Sequence, residues 1–71
     1  MRFYVSPEYI FPDKNIIEIK DRSEIHHICD VMRLGKGSDV DVFNGNGEEF
    51  FGIIKSANRD SVVIEIKNTK P

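Results

Sequence analysis

The sequence predicts a mainly β fold, a small barrel of five short strands with one α-helix between the second and third strands. Two patterns carry this prediction. Apolar and polar residues alternate in several short segments, as they do in strands that are buried on one face. One segment between them has apolar residues at the spacing of a helix instead. Short strands bury their apolar faces and lose exposed edges when the sheet curls into a barrel.

The first two strands flank a segment of turn residues. Residues 2–5 are an apolar and aromatic run that ends at the Ser-Pro of residues 6–7, which predicts a strand entering a turn. Residues 11–15 read Phe-Pro-Asp-Lys-Asn, and proline, aspartate and asparagine are typical of loops. The β-branched run at residues 16–19 predicts the second strand.

The one predicted helix runs from roughly residue 22 to residue 33. Asp21 or Ser23 can cap its first turn by accepting a hydrogen bond from a free backbone N–H. Gly35 and Gly37 follow the helix and end it. Its apolar face occupies positions i, i+3, i+4 and i+7, which are Ile25, Ile28, Cys29 and Met32.

Three more strands are predicted after the helix, at residues 39–43, 50–55 and 61–67. The first and the last of them alternate between apolar and polar residues, as expected of half-buried strands. Turns separate them at residues 44–47, which read Asn-Gly-Asn-Gly, and at residues 57–60. Glycine and asparagine suit such turns because they accept positive φ angles.

A chain of 71 residues makes one small domain. We assign residues 1–67 to the barrel and the polar residues 68–71 to a linker toward a C-terminal domain that this sequence lacks. The length leaves no room for a cofactor cleft, so we expect no cofactor in this part of the protein. With no apolar run of membrane-spanning length, no signal peptide and a single cysteine, Cys29, we expect a cytoplasmic protein.

The clusters that could carry catalysis or bind a metal have simpler explanations. His26, His27 and Cys29 are neighbours, but adjacent helix positions diverge by about 100° from the helical period and do not converge on one ion. The acidic pairs at residues 39 and 41 and at residues 48 and 49 fit a solvated face. A stand-alone enzyme would need a pocket with perturbed titratable groups, which the sequence does not indicate.

Basic residues offer a local surface for nucleic acid. The net charge is −2, so bulk charge does not favour RNA binding. Arg2 opens the first strand, Arg22 precedes the helix, and Arg33 and Lys36 follow it. On a barrel these positions can gather on one side as a modest phosphate-binding patch, with the backbone amides of the Asn44-Gly45 turn as a weaker site. Ordinary surface charge is the alternative.

Several motifs fall in the order and spacing of one known family. They are Arg2-Phe3-Tyr4-Val5 at the start, His27-Ile28-x-x-Val31-Met32-Arg33-Leu34 in the helix, Gly37 in the turn, Phe43-Asn44-Gly45 at the hairpin and Ser61-Val62 in the last strand. On these residues, and over nearly its whole length, the chain resembles the N-terminal domain of the RsmE family. These are bacterial methyltransferases that modify N3 of a uridine in 16S ribosomal RNA.

The resemblance implies a PUA-like β-barrel that helps to position RNA. It also implies a second, SPOUT-type domain, absent here, that binds S-adenosylmethionine, dimerises and transfers the methyl group. The expected partners are therefore 16S ribosomal RNA or the small ribosomal subunit, the protein's own methyltransferase domain and a second copy of the complete protein. No membrane is expected. The alternative is a barrel that orients the catalytic domain without touching RNA.

The resemblance also implies RNA-contacting residues. Arg2 matches the family's opening arginine, and His27 matches its helix histidine. Arg33 matches the arginine that closes the helix motif, and Asn44-Gly45 matches the hairpin tip. Arg33 is the strongest of these, because a guanidinium can hold a phosphate through two parallel hydrogen bonds. Pairing of Arg33 with Asp30 or with a loop carbonyl, and a capping or packing role for His27, are the structural alternatives. With the flanking cations, the predicted RNA contacts are Arg2, Arg22, His27, Arg33, Lys36, Asn44 and Gly45.

Overall fold

A curled sheet of six strands forms the body of the protein. The computed structural model describes residues 1–70 of the chain. The strands are β1 (Arg2–Tyr4), β2 (Ile10–Phe11), β3 (Ile16–Ile19), β4 (Asp39–Phe43), β5 (Glu49–Ala57) and β6 (Val62–Lys70). Their order across the sheet is β1-β4-β5-β6-β3-β2. The pairs are antiparallel except β1 with β4, which is parallel. The predicted mainly β class with one helix is confirmed.

The structure adds a sixth strand to the five that the sequence predicts. This strand, β2, has two residues, which pair with Ile17 and Ile16 of β3. Short 3-10 turns at Pro7–Tyr9 and Pro12–Lys14 enclose it, so it is too short to produce a periodic pattern. Among residues 1–70 no ladder joins β1 to β2, and the sheet is a half-barrel with these two strands as its edges.

The two longest strands, β5 and β6, form the centre of the sheet. They pair from Ala57 with Val62 at the turn to Glu49 with Lys70 at the far end. Residues 68–70, which the sequence assigns to a linker, therefore continue the sheet. Their polar side chains lie at an exposed end of the hairpin and show no alternation. Pro71 lies outside the described residues, and the connection to a further domain stays a prediction.

The predicted helix is shorter and less regular than its apolar spacing indicates. Helix α1 (Arg22–His26) continues into a single π-helical turn at His27–Val31. At its start, Asp21 Oδ1 accepts a hydrogen bond of 3.1 Å from the Ser23 N–H, which confirms Asp21 as the cap. At its end, the Leu34 N–H donates to the Ile28 carbonyl at 3.0 Å, and Arg33 between them has a φ of 56°.

The core lies between the inner face of the sheet and the helical segment. Alternate residues of β1, β3, β4, β5 and β6 face inward, and the helical segment adds its two buried isoleucines. Burial of these side chains is the main stabilising contribution to a domain of this size. The buried apolar residues are Phe3, Val5, Ile10, Ile17, Ile19, Ile25, Ile28, Val40, Val42, Phe50, Ile54, Val62, Ile64 and Ile66.

Candidate nucleic-acid interface

The residues predicted to contact RNA lie in three regions of the surface. Arg2, His27 and the hairpin tip surround the edge strand β1, where Arg2 and His27 line one groove and Arg2 and Gly45 another. Arg22 lies beside the turn between β5 and β6. Arg33 and Lys36 belong to the segment that leaves the helix. The sheet order thus distributes these charges instead of joining them into one patch.

The β1 region is built by the outer face of the sheet. Arg2 and Tyr4 project outward from β1, and their partners on β4 are Asp41 and Phe43. A groove of about 380 Å³, which we call the β1 groove, runs between β1 and the helix and is lined on its helical side by Glu24 and His27. It is the most apolar of the candidate clefts, because Tyr4, Phe43 and the buried Phe3 contribute to its walls.

Arg2 is held in place by an acidic and an aromatic neighbour. Its Nε donates a hydrogen bond of 3.0 Å to Glu49 Oε2, and its guanidinium carbon lies 4.3 Å from the centre of the Phe43 ring. The side chain is nevertheless 59% exposed. The ion pair offsets part of the charge but uses one of the three nitrogens, so Arg2 can still donate to a phosphate at the surface.

Two carboxyl groups beside Arg2 depart from the solvated face that the sequence predicts. Asp41 Oδ1 is buried and has no hydrogen-bond partner within residues 1–70. Burial raises the pKa of Asp41, and the hydrogen bond and charge of Glu49 raise it further. Hydrogen bonds from Asp41 and from Arg2 lower the pKa of Glu49. The two groups therefore differ in acidity, with Asp41 holding its proton more strongly.

Asn44 shapes the hairpin tip from the inside. The residue is only 6% exposed. Its Oδ1 accepts a hydrogen bond of 2.8 Å from the Asn46 N–H, and its Nδ2 donates one of 3.0 Å to Glu48 Oε1. Its own N–H donates to the Glu48 carbonyl. The side chain is thus committed to the turn, and the adjacent Gly45 N–H is the group of this pair that stays a candidate for RNA.

His27 is free while the neighbouring histidine is not. His26 Nδ1 lies 2.8 Å from Asp30 Oδ2, whereas the exposed His27 ring has no hydrogen-bond partner within the described chain.

Residues 1–70 contain no group of three metal-ligating side chains. Burial, with a smaller contribution from the Asp30 charge, raises the pKa of the Cys29 thiol, which disfavours the nucleophilic thiolate.

Arg22, at the start of the helix, forms an ion pair with an acidic residue in the turn between β5 and β6. Its Nη2 lies 3.6 Å from Asp60 Oδ1, and both side chains are more than three-quarters exposed, at 77% and 82%. With Arg59 it lines a broad groove of about 660 Å³ beside the β5–β6 turn. An exposed ion pair of this kind contributes about 0–1 kcal/mol to stability and is screened by salt.

The helix-exit segment presents cations without acidic partners. Asp30, which the sequence offers as an alternative partner for Arg33, is hydrogen-bonded to His26 instead. Among residues 1–70, neither Arg33 nor Lys36 forms an ion pair, and both are exposed. The segment lies along β5, because the Gly37 N–H donates to the Ile54 carbonyl at 2.8 Å. Lys55 follows Ile54 in β5, so this contact places Lys55 beside the segment. Lys55 is exposed and forms no ion pair within residues 1–70.

We call Arg33, Lys36 and Lys55 the exit cluster. Sequence reasoning missed Lys55, because it lies in a different strand and the contact that brings it to the helix exit is non-local. The only signal in the sequence is its position at the end of the predicted strand 50–55, opposite the start of the preceding strand in a hairpin.

A comparison with known families decides what kind of domain this is. Residues 19–67 match the family described as the RNA methyltransferase PUA domain. The chain belongs to this family. The match includes the helix, β4, β5 and most of β6, and therefore the whole exit cluster and the hairpin tip.

Solved structures share the fold of this PUA domain. A putative methyltransferase from Legionella pneumophila in complex with S-adenosylmethionine superposes with a TM-score of 0.76 at 24% identity, over 97% of this chain and 27% of that one. A predicted RNA methyltransferase from Thermotoga maritima gives 0.75 at 23%, over 97% and 29%. Ribosomal RNA small subunit methyltransferase E from Neisseria gonorrhoeae, bound to S-adenosyl methionine, gives 0.74 at 18%, over 97% and 27%.

At these identities the likeness to the solved structures shows the fold alone. The PUA domain spans less than a third of the length of each of those proteins. No curated protein sequence matches the chain. Within residues 1–70, no helix is both long enough and apolar enough to cross a membrane.

Proposed function

We propose that this PUA domain binds RNA on behalf of an S-adenosylmethionine-dependent methyltransferase that modifies N3 of a uridine in 16S ribosomal RNA. The catalytic, SPOUT-type domain follows the PUA domain in the complete protein, binds the cofactor and forms a homodimer. The PUA domain itself carries no reacting group. It adds phosphate contacts that hold the ribosomal RNA, a substrate found in the cytoplasm, against the active site. The family match and the resemblance to the RsmE family support this assignment.

The exit cluster is the observation that carries the proposal. Arg33 has a φ of 56°, a conformation that costs a non-glycine residue about 1–2 kcal/mol. Glycine is the usual residue at this position after a helix. An arginine there, exposed and free of the nearby Asp30, retains both terminal nitrogens for a phosphate. The backbone of Arg33 is thus energetically unfavourable, and a phosphate contact made by its side chain would account for this conformation.

The affinity expected of the isolated domain is weak. Three cations can neutralise about three phosphates, and each contributes roughly 0.7 to the slope of log K against log salt for single-stranded RNA. The slope expected for the exit cluster is therefore about −2. In the dimeric protein two PUA domains act together, and the linkage raises the effective concentration of the second contact.

Amide NMR titration with a hairpin from small-subunit ribosomal RNA tests the proposal. At low salt we expect shifts at residues 33–37 and 54–55 that weaken as salt rises to the physiological range. Lys67, whose Nζ lies 3.3 Å from Glu65 Oε1, provides the control, because Lys67→Ala removes a cation that is already paired and does not belong to the cluster. An absence of shifts at low salt, with the domain folded, would overturn direct RNA binding.

The outer face of the sheet favours a second candidate function. Tyr4 is 48% exposed, and Phe43 and Phe51 are half-buried on the same face. Aromatic residues of this kind are common in protein interfaces. The PUA domain would then orient the catalytic domain without contacting RNA. Shifts confined to these residues on addition of the separate catalytic domain, with none on addition of RNA, would favour this function.

A further inference from the structure

The β1 groove has the size of a small-ligand site and no assigned occupant. Its volume of about 380 Å³ lies within the range of roughly 300–1,000 Å³ that such sites occupy. It follows the outer edge of β1, whose other edge pairs with β4. In a parallel pair alternate residues bond to the partner strand, so the N–H and C=O groups of Arg2 and Tyr4 point away from β4, toward the groove.

Tyr4 is an exposed aromatic ring with a fixed position. It packs against Phe43 at a ring-centre distance of 5.9 Å and an interplanar angle of 63°. On another side it contacts the hairpin tip, where a Cβ at Gly45 would lie only 3.2 Å from Tyr4 Cε1. Glycine also suits the φ of 82° there. The ring is thus supported from two sides and still 48% exposed.

The charges of the groove separate its rim from its interior. The Arg2 guanidinium lies at the rim, where it can meet a phosphate. Inside, Glu24 Oε2 is buried and has no hydrogen-bond partner within residues 1–70. A carboxyl group in the wall of the groove repels phosphate, so the phosphate of a bound nucleotide is expected at Arg2 and its base in the interior. The unpaired ring of His27 adds a second group able to donate or accept.

We propose that the β1 groove binds one unstacked nucleobase of single-stranded RNA, with the base stacked on Tyr4 and its phosphate at Arg2. This inference rests on the proposed function and adds a second contact to the exit cluster. Stacking on an aromatic ring is the usual means by which proteins hold unpaired bases, and it tolerates any base because each has a flat π face. The exit cluster contacts only the phosphates of the RNA backbone, whereas the groove accepts only a base that is unpaired.

The test uses a short oligouridine that carries 2-aminopurine at its centre, and a matched oligonucleotide with an abasic site there. Stacking on Tyr4 should quench the 2-aminopurine fluorescence. The abasic RNA should bind roughly 5- to 160-fold more weakly, the factor that corresponds to one base–aromatic stack. Tyr4→Leu should lose the same factor for the 2-aminopurine RNA and nothing further for the abasic RNA. Tyr4→Phe should bind as the wild type does.

The outcomes separate this inference from the proposed function. Equal binding of the two RNAs by the wild type, with binding abolished by Arg33→Ala, overturns the groove and leaves the exit cluster. Absence of all RNA binding at low salt overturns both. A third result would also overturn the groove: protection of the Arg2 and Tyr4 amides from hydrogen exchange by the separate catalytic domain and not by RNA. The edge of β1 would then accept an added protein strand.

Discussion

Arg33 combines a strained backbone with an exposed, charged side chain. Its left-handed backbone closes the helix by allowing Leu34 to reach the Ile28 carbonyl, which any glycine would do at lower cost. Asp41 is also unfavourable to the fold, because its half-buried carboxyl group lies beside the carboxyl group of Glu49 and its pKa is raised. Both residues lie among the charges of the candidate interface, and substitution of either one is expected to change the stability of the domain.

We expect Arg33→Gly to raise the free energy of unfolding by up to about 1 kcal/mol, because glycine adopts the left-handed conformation without strain. The same variant should lose affinity for RNA, since it removes a phosphate-binding cation. Urea unfolding and RNA titration at low salt measure the two effects. Arg33→Ala is the matched control, since alanine loses the charge but keeps the strain. A clear loss of stability in Arg33→Gly would contradict the prediction.

The Asp41 and Glu49 pair predicts an unusual dependence on pH. The raised pKa of Asp41 means that its charged form destabilises the folded state; this cost begins above the unfolded pKa of the group and is complete above its folded pKa. Glu49 acts in the opposite sense: its lowered pKa stabilises the fold above its unfolded pKa and this is lost in acid. Asp41→Asn should therefore be more stable than the wild type at neutral pH.

The difference should shrink as the pH falls through the pKa of Asp41, because the wild-type carboxyl is then neutral as well. Urea unfolding at a series of pH values measures it. Asp39→Asn, at an exposed position of the same strand, is the control for loss of an acidic charge. A difference between Asp41→Asn and the wild type that stays constant with pH would contradict the prediction.

At the scale of elements, the long hairpin of β5 and β6 organises the sheet. Its register shifts between Phe51 and Gly52 and again between Ile54 and Ser56, which lets the two strands bend into the half-barrel. The first shift coincides with a glycine. A Cβ on Gly52 would lie 2.3 Å from the Glu65 carbonyl oxygen and 2.8 Å from Ile64 Cγ2. Close approach of the backbones thus requires a residue without a side chain.

Gly52→Ala should destabilise the domain by about 1–3 kcal/mol or more, because the neighbouring backbone cannot yield as a flexible side chain would. Gly35→Ala is the matched control: its Cβ would meet nothing within 4 Å and its φ is not in the left-handed region. That variant should differ from the wild type by less than about 1 kcal/mol. Thermal or urea unfolding compares the two, and equal stability of both variants would refute the close contact at Gly52.

At the scale of the whole molecule, the basic residues lie in separated regions of a protein whose net charge is negative. The net charge of −2 gives no general attraction for RNA, so the proposed RNA binding depends on how the individual cations are placed. Arg2 and Arg22 pair with acids, whereas no residue of the exit cluster forms an ion pair within residues 1–70. Under the proposed function, a small domain with a negative net charge suits a supporting role, in which most of the affinity for RNA comes from the complete protein.

Removal of two exit-cluster cations should change the salt dependence of RNA binding and not only its strength. The double variant Arg33→Ala, Lys36→Ala should reduce the slope of log K against log salt by about 1.4, at roughly 0.7 per lost phosphate contact. Lys67→Ala should leave the slope unchanged. Filter binding or fluorescence anisotropy over a salt series measures the slopes. Equal reductions in both variants would indicate diffuse charge attraction instead of a site.

Much of the candidate site could be read from the sequence, because it depends on local chemistry. The Asp21 cap, the glycine-rich hairpin, the single helix and the candidate cations are all set by residues close together in the chain. The two-residue strand β2 could not be found, since it is too short to have a period. The burial of Asn44 could not be predicted either, because its amide shapes the turn from the inside where its sequence context suggests only an exposed tip.

The mainly β class, the place of the helix and the basic residues themselves follow from the amino-acid sequence alone. Which of these basic residues meet depends on the tertiary fold. Parallel pairing of β1 with β4 brings Arg2 to Phe43 and Glu49, and the Gly37–Ile54 contact brings Lys55 to the helix exit. Periodicity and turn chemistry act between neighbours in the chain. The order of strands depends instead on how the apolar faces of the whole sheet are buried together, which no local pattern records.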